Sequence, residues 1–189
     1  YKNILNIKRM LAAVNKEREQ YNLNPLCLSD KLIESALGQA KYMATTGKLT
    51  HDDGRNVAER FKAFSGSAKG ENVGETSNKR ISFVMDLFKK SKNHYCNMLG
   101  KYTHFGAALL PKDPSKPNVG PFYWAQHYGL NTSKSGEACV QDTKYTSPAE
   151  SAEAKAKCPL NTVGAEIPNS EIKANLTEPW SISFFNDCT

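Results

Sequence analysis

At Thr103 the hydrophobic rhythm of the chain changes, and that change restricts the fold more than any other feature. Before it, apolar residues recur at helical spacing. Ile4, Ile7, Leu11 and Val14, with Met10 beside them, predict an amphipathic helix over 4–21. Pro25 ends that run, because the residue before a proline avoids helical torsions. Leu32, Ala36, Ala40 and Met43 predict a second helix, from an N-cap at Ser29 to about Thr46. Residues 57–64 read as a short helix. Ile81, Val84, Met85 and Phe88 predict another, with a brief continuation to about Leu99. After Thr103, "THFGAALL" and "VGPFYWAQHYG" are rich in β-formers and flank the proline-rich "PKDPSKPN". That pattern predicts two antiparallel strands. In the second, Phe122, Trp124 and Gln126 share one face, and Tyr123, Ala125 and His127 the other. Helices followed by a hairpin, rather than alternating βαβ units, predict an α+β layer arrangement.

Two segments lack strong periodicity. "SGSAKGENVGETSNK" reads as a glycine-rich loop, and "TGKLTHDDGRN" as turn chemistry. Beyond Gly136 the chain is polar and irregular, with one helix expected at 148–156. The expected organisation is a domain over 1–136 and a cysteine-containing extension over 137–189, within the 189 residues.

Charge follows the same division. The net charge is +6, but residues 1–136 carry ten positive charges in excess and the extension four negative. The lysines are scattered and not interleaved with aromatics, so nucleic acid is not an expected partner. No apolar run is long enough to span a membrane. The chain starts at Tyr1 without a basic-then-apolar leader, the pattern expected of a mature or trimmed product. Five cysteines, Cys27, Cys96, Cys139, Cys158 and Cys188, show no C-x-x-C spacing. Three lie in the weakly patterned extension, which predicts disulfides and an oxidising, extracellular compartment. Sequons at Asn131 and Asn175 agree with that and are the expected glycosylation sites. Cys96, in an apolar helical setting, is the expected free thiol.

H-E-x-x-H and G-x-S-x-G motifs are both absent. Ser91 and His94 stand at helical spacing as a conceivable nucleophile and base, without an evident third partner. His127 reads as structural.

Several short motifs in order resemble the CAP superfamily (SCP/TAPS), which includes cysteine-rich secretory proteins, antigen 5 and pathogenesis-related class 1 proteins. Asn15 and Arg18 match a family His-Asn-x-x-Arg helix in which Val14 replaces the histidine. "LSDKLIESALGQAKYMATTGKLTH" matches the family's second helix and ends at His51. Gly70-Glu71-Asn72-Val73 matches its Gly-Glu-Asn segment. Tyr102 to Gly106 matches the histidine that leads into the central strand, and Tyr123 to Tyr128 the aromatic-Trp-x-Gln strand. The likeness runs from about Ile7 to Gly129. It departs where many members carry a second glutamate three residues after a tryptophan; Phe88 and Ser91 stand there. His94 matches a histidine of the microbial branch.

The resemblance implies an α-β-α sandwich with His51, Glu71 and His104 lining a central cleft, and Asn72, Ser91 and His94 beside it. His51 and His104 would be the metal ligands for a divalent cation such as zinc, with water or Glu71 completing an open site. Glu71 could instead orient a histidine for acid–base chemistry, or the trio could be a polar network tying loops to the sheet. The family also implies a sterol or fatty acid as ligand, with 64–69 and 111–121 as candidate loops. The expected function is that of a secreted protein acting by binding a lipid or an extracellular protein partner. The alternatives are a hydrolase using the same cleft, or an effector working through residues 137–189.

Overall fold

A computed structural model describes residues 4–55, 57–66, 68–132, 139–140 and 152–158. Helix α1 (Ile4–Glu19) buries the stripe of Ile7, Met10, Leu11 and Val14 that its spacing predicts. Strand β1 (Cys27–Leu28) leads into α2 (Asp30–Thr46). The Ser29 side chain caps α2 by accepting from the Leu32 amide, and Gly47, in the left-handed region, donates its own amide back to Met43. A short α3 (Val57–Arg60) precedes strand β2 (Ala68–Thr76). Helices α4 (Ile81–Lys90) and α5 (Lys92–Met98) follow, then strands β3 (His104–Pro111) and β4 (Phe122–Leu130), and α6 (Ala152–Lys157).

The strands form one sheet in the order β1-β3-β4-β2, with β1 parallel to β3 and the other pairs antiparallel. Every residue of β4 is buried, as a strand covered on both faces must be. Phe122, Trp124, Gln126, Tyr128 and Leu130 alternate toward one side, where Trp124 and Tyr128 join the core formed with α1, α4 and α5. Tyr123, Ala125 and His127 point to the other, where Tyr123 and Ala125 pack on Ala36, Ala40 and Met43 of α2. Helix α2 lies directly on β3: a Cβ on Gly106 would fall 2.2 Å from the Leu32 carbonyl carbon. These layers are the α-β-α sandwich of the expected α+β class.

Strand β2 corrects the expectation of a glycine-rich loop. It pairs with β4 over its full nine residues, from Ala68–Leu130 to Thr76–Phe122. The alternation that marks a strand is present, but its inner positions are Gly70, Asn72, Gly74 and Thr76, which give no apolar signal. Gly70 is small because Tyr102 sits against it, with its hydroxyl oxygen 2.5 Å from where a Cβ would be.

The cysteine expectation also needs correction. Cys96 is not free: it forms a disulfide with Cys158, and Cys27 forms one with Cys139. Both bonds fasten the extension to the domain. Ala154 and Cys158 join the main core beside α5, and the Lys157 ammonium lies 5.4 Å from the centre of the Tyr95 ring. Cys188 and Asn175 lie outside the described residues. No helix among the described residues is long and apolar enough to cross a membrane.

Candidate functional site

The site grows from a pair across two strands. Glu71 on β2 stands opposite His127 on β4, on the face that looks toward α2. His127 Nε2 lies 2.7 Å from Glu71 Oε2. His51, in the loop after α2, puts its Nδ1 2.7 Å from Glu71 Oε1. Arg60, at the end of α3, donates Nη2–H to the same oxygen at 3.2 Å. Its Nη1 donates to the His51 carbonyl and, at 3.4 Å, to Asp53 Oδ1, so one guanidinium fixes the loop that carries His51. From the helix side, Gln39 donates to the Thr50 carbonyl at 2.6 Å.

Burial alone would push the Glu71 carboxyl up. The hydrogen bonds from His127 and His51 outweigh it and hold the group well below the usual carboxylate range. Glu71 is therefore an anion with three N–H donors. Because it accepts at Nδ1 of His51, that ring carries its proton on Nδ1 and turns Nε2 outward as an acceptor. Nε2 makes no hydrogen bond among the described residues. His51 is the least buried of the four imidazoles; the others are 8 % exposed or less.

The remaining expected site residues occupy different places. His94 is buried, stacked on Phe88 at 5.0 Å between ring centres, with Nδ1 2.6 Å from Ser91 Oγ. Burial above all lowers its pKa to about 3, while a hydrogen bond to the Val73 backbone carbonyl opposes the shift. That ring donates to Val73 and accepts from Ser91. Through these two bonds the ring links Ser91, at the start of α5, to Val73 of β2. Asn72 faces away from the cleft. It donates to the His94 carbonyl and to Gln126 Oε1, both at 3.0 Å, and accepts from Asn97 at 2.8 Å. Asn97 also donates to the Glu71 carbonyl. Arg18, fully buried, braces this side by donating to the carbonyls of Asn24, Met98 and Gly100.

His104 does not share the Glu71 carboxylate. Its Nδ1 is 2.7 Å from Thr103 Oγ1, its ring meets Phe64 edge-on, and its neighbours are Cys27 and Cys139. His127, read from sequence as structural, takes the place expected of His104. The missed signal was strand register: only the pairing of the unrecognised β2 with β4 sets His127 opposite Glu71.

The expected cation does not fit the cleft. Both Glu71 oxygens accept N–H donors, one of them a guanidinium, and both His94 nitrogens are engaged. Of the imidazole nitrogens around Glu71, His51 Nε2 is left to coordinate, while His127 Nδ1, also without a partner among the described residues, is on a fully buried ring. Among the described residues, one group of three has donor atoms close enough to hold a metal: Cys27, His104 and Cys139, within 4.8 Å of one another. Its two sulfurs are joined as a disulfide, so they are not thiolate ligands. Asn131, one expected glycosylation site, is buried, and its side-chain amide donates to Ser65. A glycan there would require that contact to open.

A buried glutamate that orients a loop histidine at the edge of a four-stranded α-β-α sandwich defines the class of protein. The profile of the Cysteine-rich secretory protein family, CAP, matches residues 11–128, and the chain belongs to that family. Among solved structures, the chain is similar to an extracellular protein with an SCP domain from Bacillus anthracis, at 18% identity and a TM-score of 0.56 over 67% of this chain and 40% of that one. It is also similar to an outer surface protein of Borrelia burgdorferi, at 18% identity and a TM-score of 0.57 over 66% of this chain and 92% of that one. At such identity the likeness is one of fold. The chain spans less than half the length of the Bacillus protein. No curated protein matches it by sequence.

Proposed function

We propose that this chain is a secreted CAP-domain protein that works by binding, with a ligand hydroxyl engaged at His51 Nε2. One observation carries the reading: both Glu71 oxygens are already paired with N–H donors of His51, Arg60 and His127, while His51 Nε2, on the least buried of the imidazoles, is a preset acceptor. An acceptor beside an ionised Glu71 favours a hydroxyl donor over a carboxylate. Among the apolar ligands implied by the family, that favours a sterol over a fatty acid. Two disulfides and neighbours described as extracellular or outer surface proteins support secretion.

The imidazole–carboxylate pair also favours a second reading. An imidazole oriented by a buried carboxylate, with Nε2 open, is the geometry of a general base in a hydrolase. Native mass spectrometry of the disulfide-intact chain with cholesterol or palmitic acid, beside ester and casein hydrolysis assays, tests both. Binding predicts a cholesterol adduct stronger than any palmitate adduct, weakened in His51→Ala, and no turnover. Turnover that disappears in His51→Ala would establish the hydrolase instead. Absence of a cholesterol adduct would overturn the sterol reading.

A further inference from the structure

We infer that His127 is a positioning residue: its Nε2–H holds the Glu71 carboxylate in the one orientation that fixes the proton of His51 on Nδ1 and presents Nε2 to a ligand. This deepens the proposed function and rests on His51 being the ligand-facing group. The argument starts from His127 itself. The ring is fully buried and stacked on Phe61, with 4.5 Å between ring centres and 24° between planes. Its Nε2 faces Glu71 Oε2 at 2.7 Å, while its Nδ1 is buried and has no hydrogen-bond partner among the described residues.

That asymmetry assigns the proton. A proton on Nδ1 would be a buried donor without an acceptor, and the Nε2 lone pair would then point at an anion. Both arrangements are costly. With the proton on Nε2, the ring makes a charge-assisted bond to Glu71 and only a lone pair is left unmatched. The carboxylate is thereby held from both ends, by His127 at Oε2 and by His51 and Arg60 at Oε1. Without the His127 bond, Oε2 of the buried Glu71 would lose its hydrogen-bond donor. The carboxylate would be free to turn away from His51. A histidine released from such a partner reverts to a mixture of tautomers, in which protonated Nε2 no longer accepts from a ligand. His127 occupies a position where sequence gives it no evident task, and its effect reaches the ligand only through Glu71.

Long-range ¹H–¹⁵N correlation NMR on uniformly labelled, disulfide-intact protein near neutral pH reads both tautomers directly, without any ligand. The expected wild-type spectrum has His127 protonated at Nε2 and His51 protonated at Nδ1. In His127→Phe, which preserves the stacking on Phe61, the His51 signals should move to a mixture of tautomers. In His127→Gln, whose amide can donate to Oε2, the Nδ1–H form of His51 should be recovered. His127 protonated at Nδ1 in the wild-type chain would overturn the inference, and that reading needs no variant to fold. An unchanged His51 tautomer in folded His127→Phe would overturn it as well. The two proposals fail separately: a missing cholesterol adduct with the expected tautomers defeats the ligand, and an adduct with the wrong tautomers defeats the positioning.

Discussion

Glu71 and His94 are two buried titratable groups with opposite reasons for their shifts and the same consequence for stability. Burial alone would raise the Glu71 carboxyl, but its imidazole partners hold it below its ordinary value of 4.5, while burial lowers the His94 imidazole from 6.5 to about 3. In each case the unfolded chain binds a proton that the folded chain does not. Stability should therefore fall with decreasing pH, first below about 6.5 as unfolded His94 takes its proton, then more steeply below about 4.5 as unfolded Glu71 does. Each such proton contributes a slope of up to ~1.4 kcal/mol per pH unit. Urea titrations at pH 5 to 7 should show that slope in the wild type and lose most of it in His94→Gln. An equal slope in both proteins would mean that His94 is not buried uncharged. Arg18 gives a second test at this scale. Its guanidinium is fully buried and satisfies three backbone carbonyls, and burial lowers its pKa to about 10. Arg18→Met should cost about 3 kcal/mol or more in urea unfolding, because those acceptors are left without donors.

Between elements, the closest constraint is the seat of α2 on β3 at Gly106. Its missing side chain lets the helix backbone approach the sheet, and an added Cβ would meet the Leu32 carbonyl group and the Ile33 amide. Gly106→Ala should cost at least about 2 kcal/mol, as overpacking of an immovable backbone does, and thermal unfolding would show it as a lowered Tm. The helices were legible because their apolar stripes are regular: α1 and α2 bury the residues their spacing selects. The β3–β4 hairpin was legible from β-branched and aromatic content around a proline-rich turn. Strand β2 was not, since glycine, asparagine and threonine occupy its core-facing positions and tertiary pairing alone makes it a strand. That one omission explains the misreading of the site. Without β2 there is no register, and without register nothing in the sequence sets His127 opposite Glu71. Loop residue His51 and Glu71 itself were legible only because their motifs resemble the family's.

Across the whole molecule, the extension is held where sequence alone could say only that cysteines were plentiful there. The Cys27–Cys139 bond closes 112 residues and the Cys96–Cys158 bond 62. Removing either pair should cost ~2–4 kcal/mol, and the longer loop about 0.5 kcal/mol more, if unfolded-chain entropy dominates. Double serine variants of each pair, compared by urea unfolding, would check the order. The central claim concerns the domain: four histidines, three committed inside the protein, and one, His51, open at Nε2. Reaction with diethyl pyrocarbonate at neutral pH, followed by peptide mass spectrometry, tests it most directly, because that reagent acylates an accessible unprotonated imidazole nitrogen. The account predicts that His51 is modified first and that His94, His104 and His127 are protected until the chain unfolds. Protection of His51, or modification of His127 or His94 at a comparable rate in the folded protein, would contradict it.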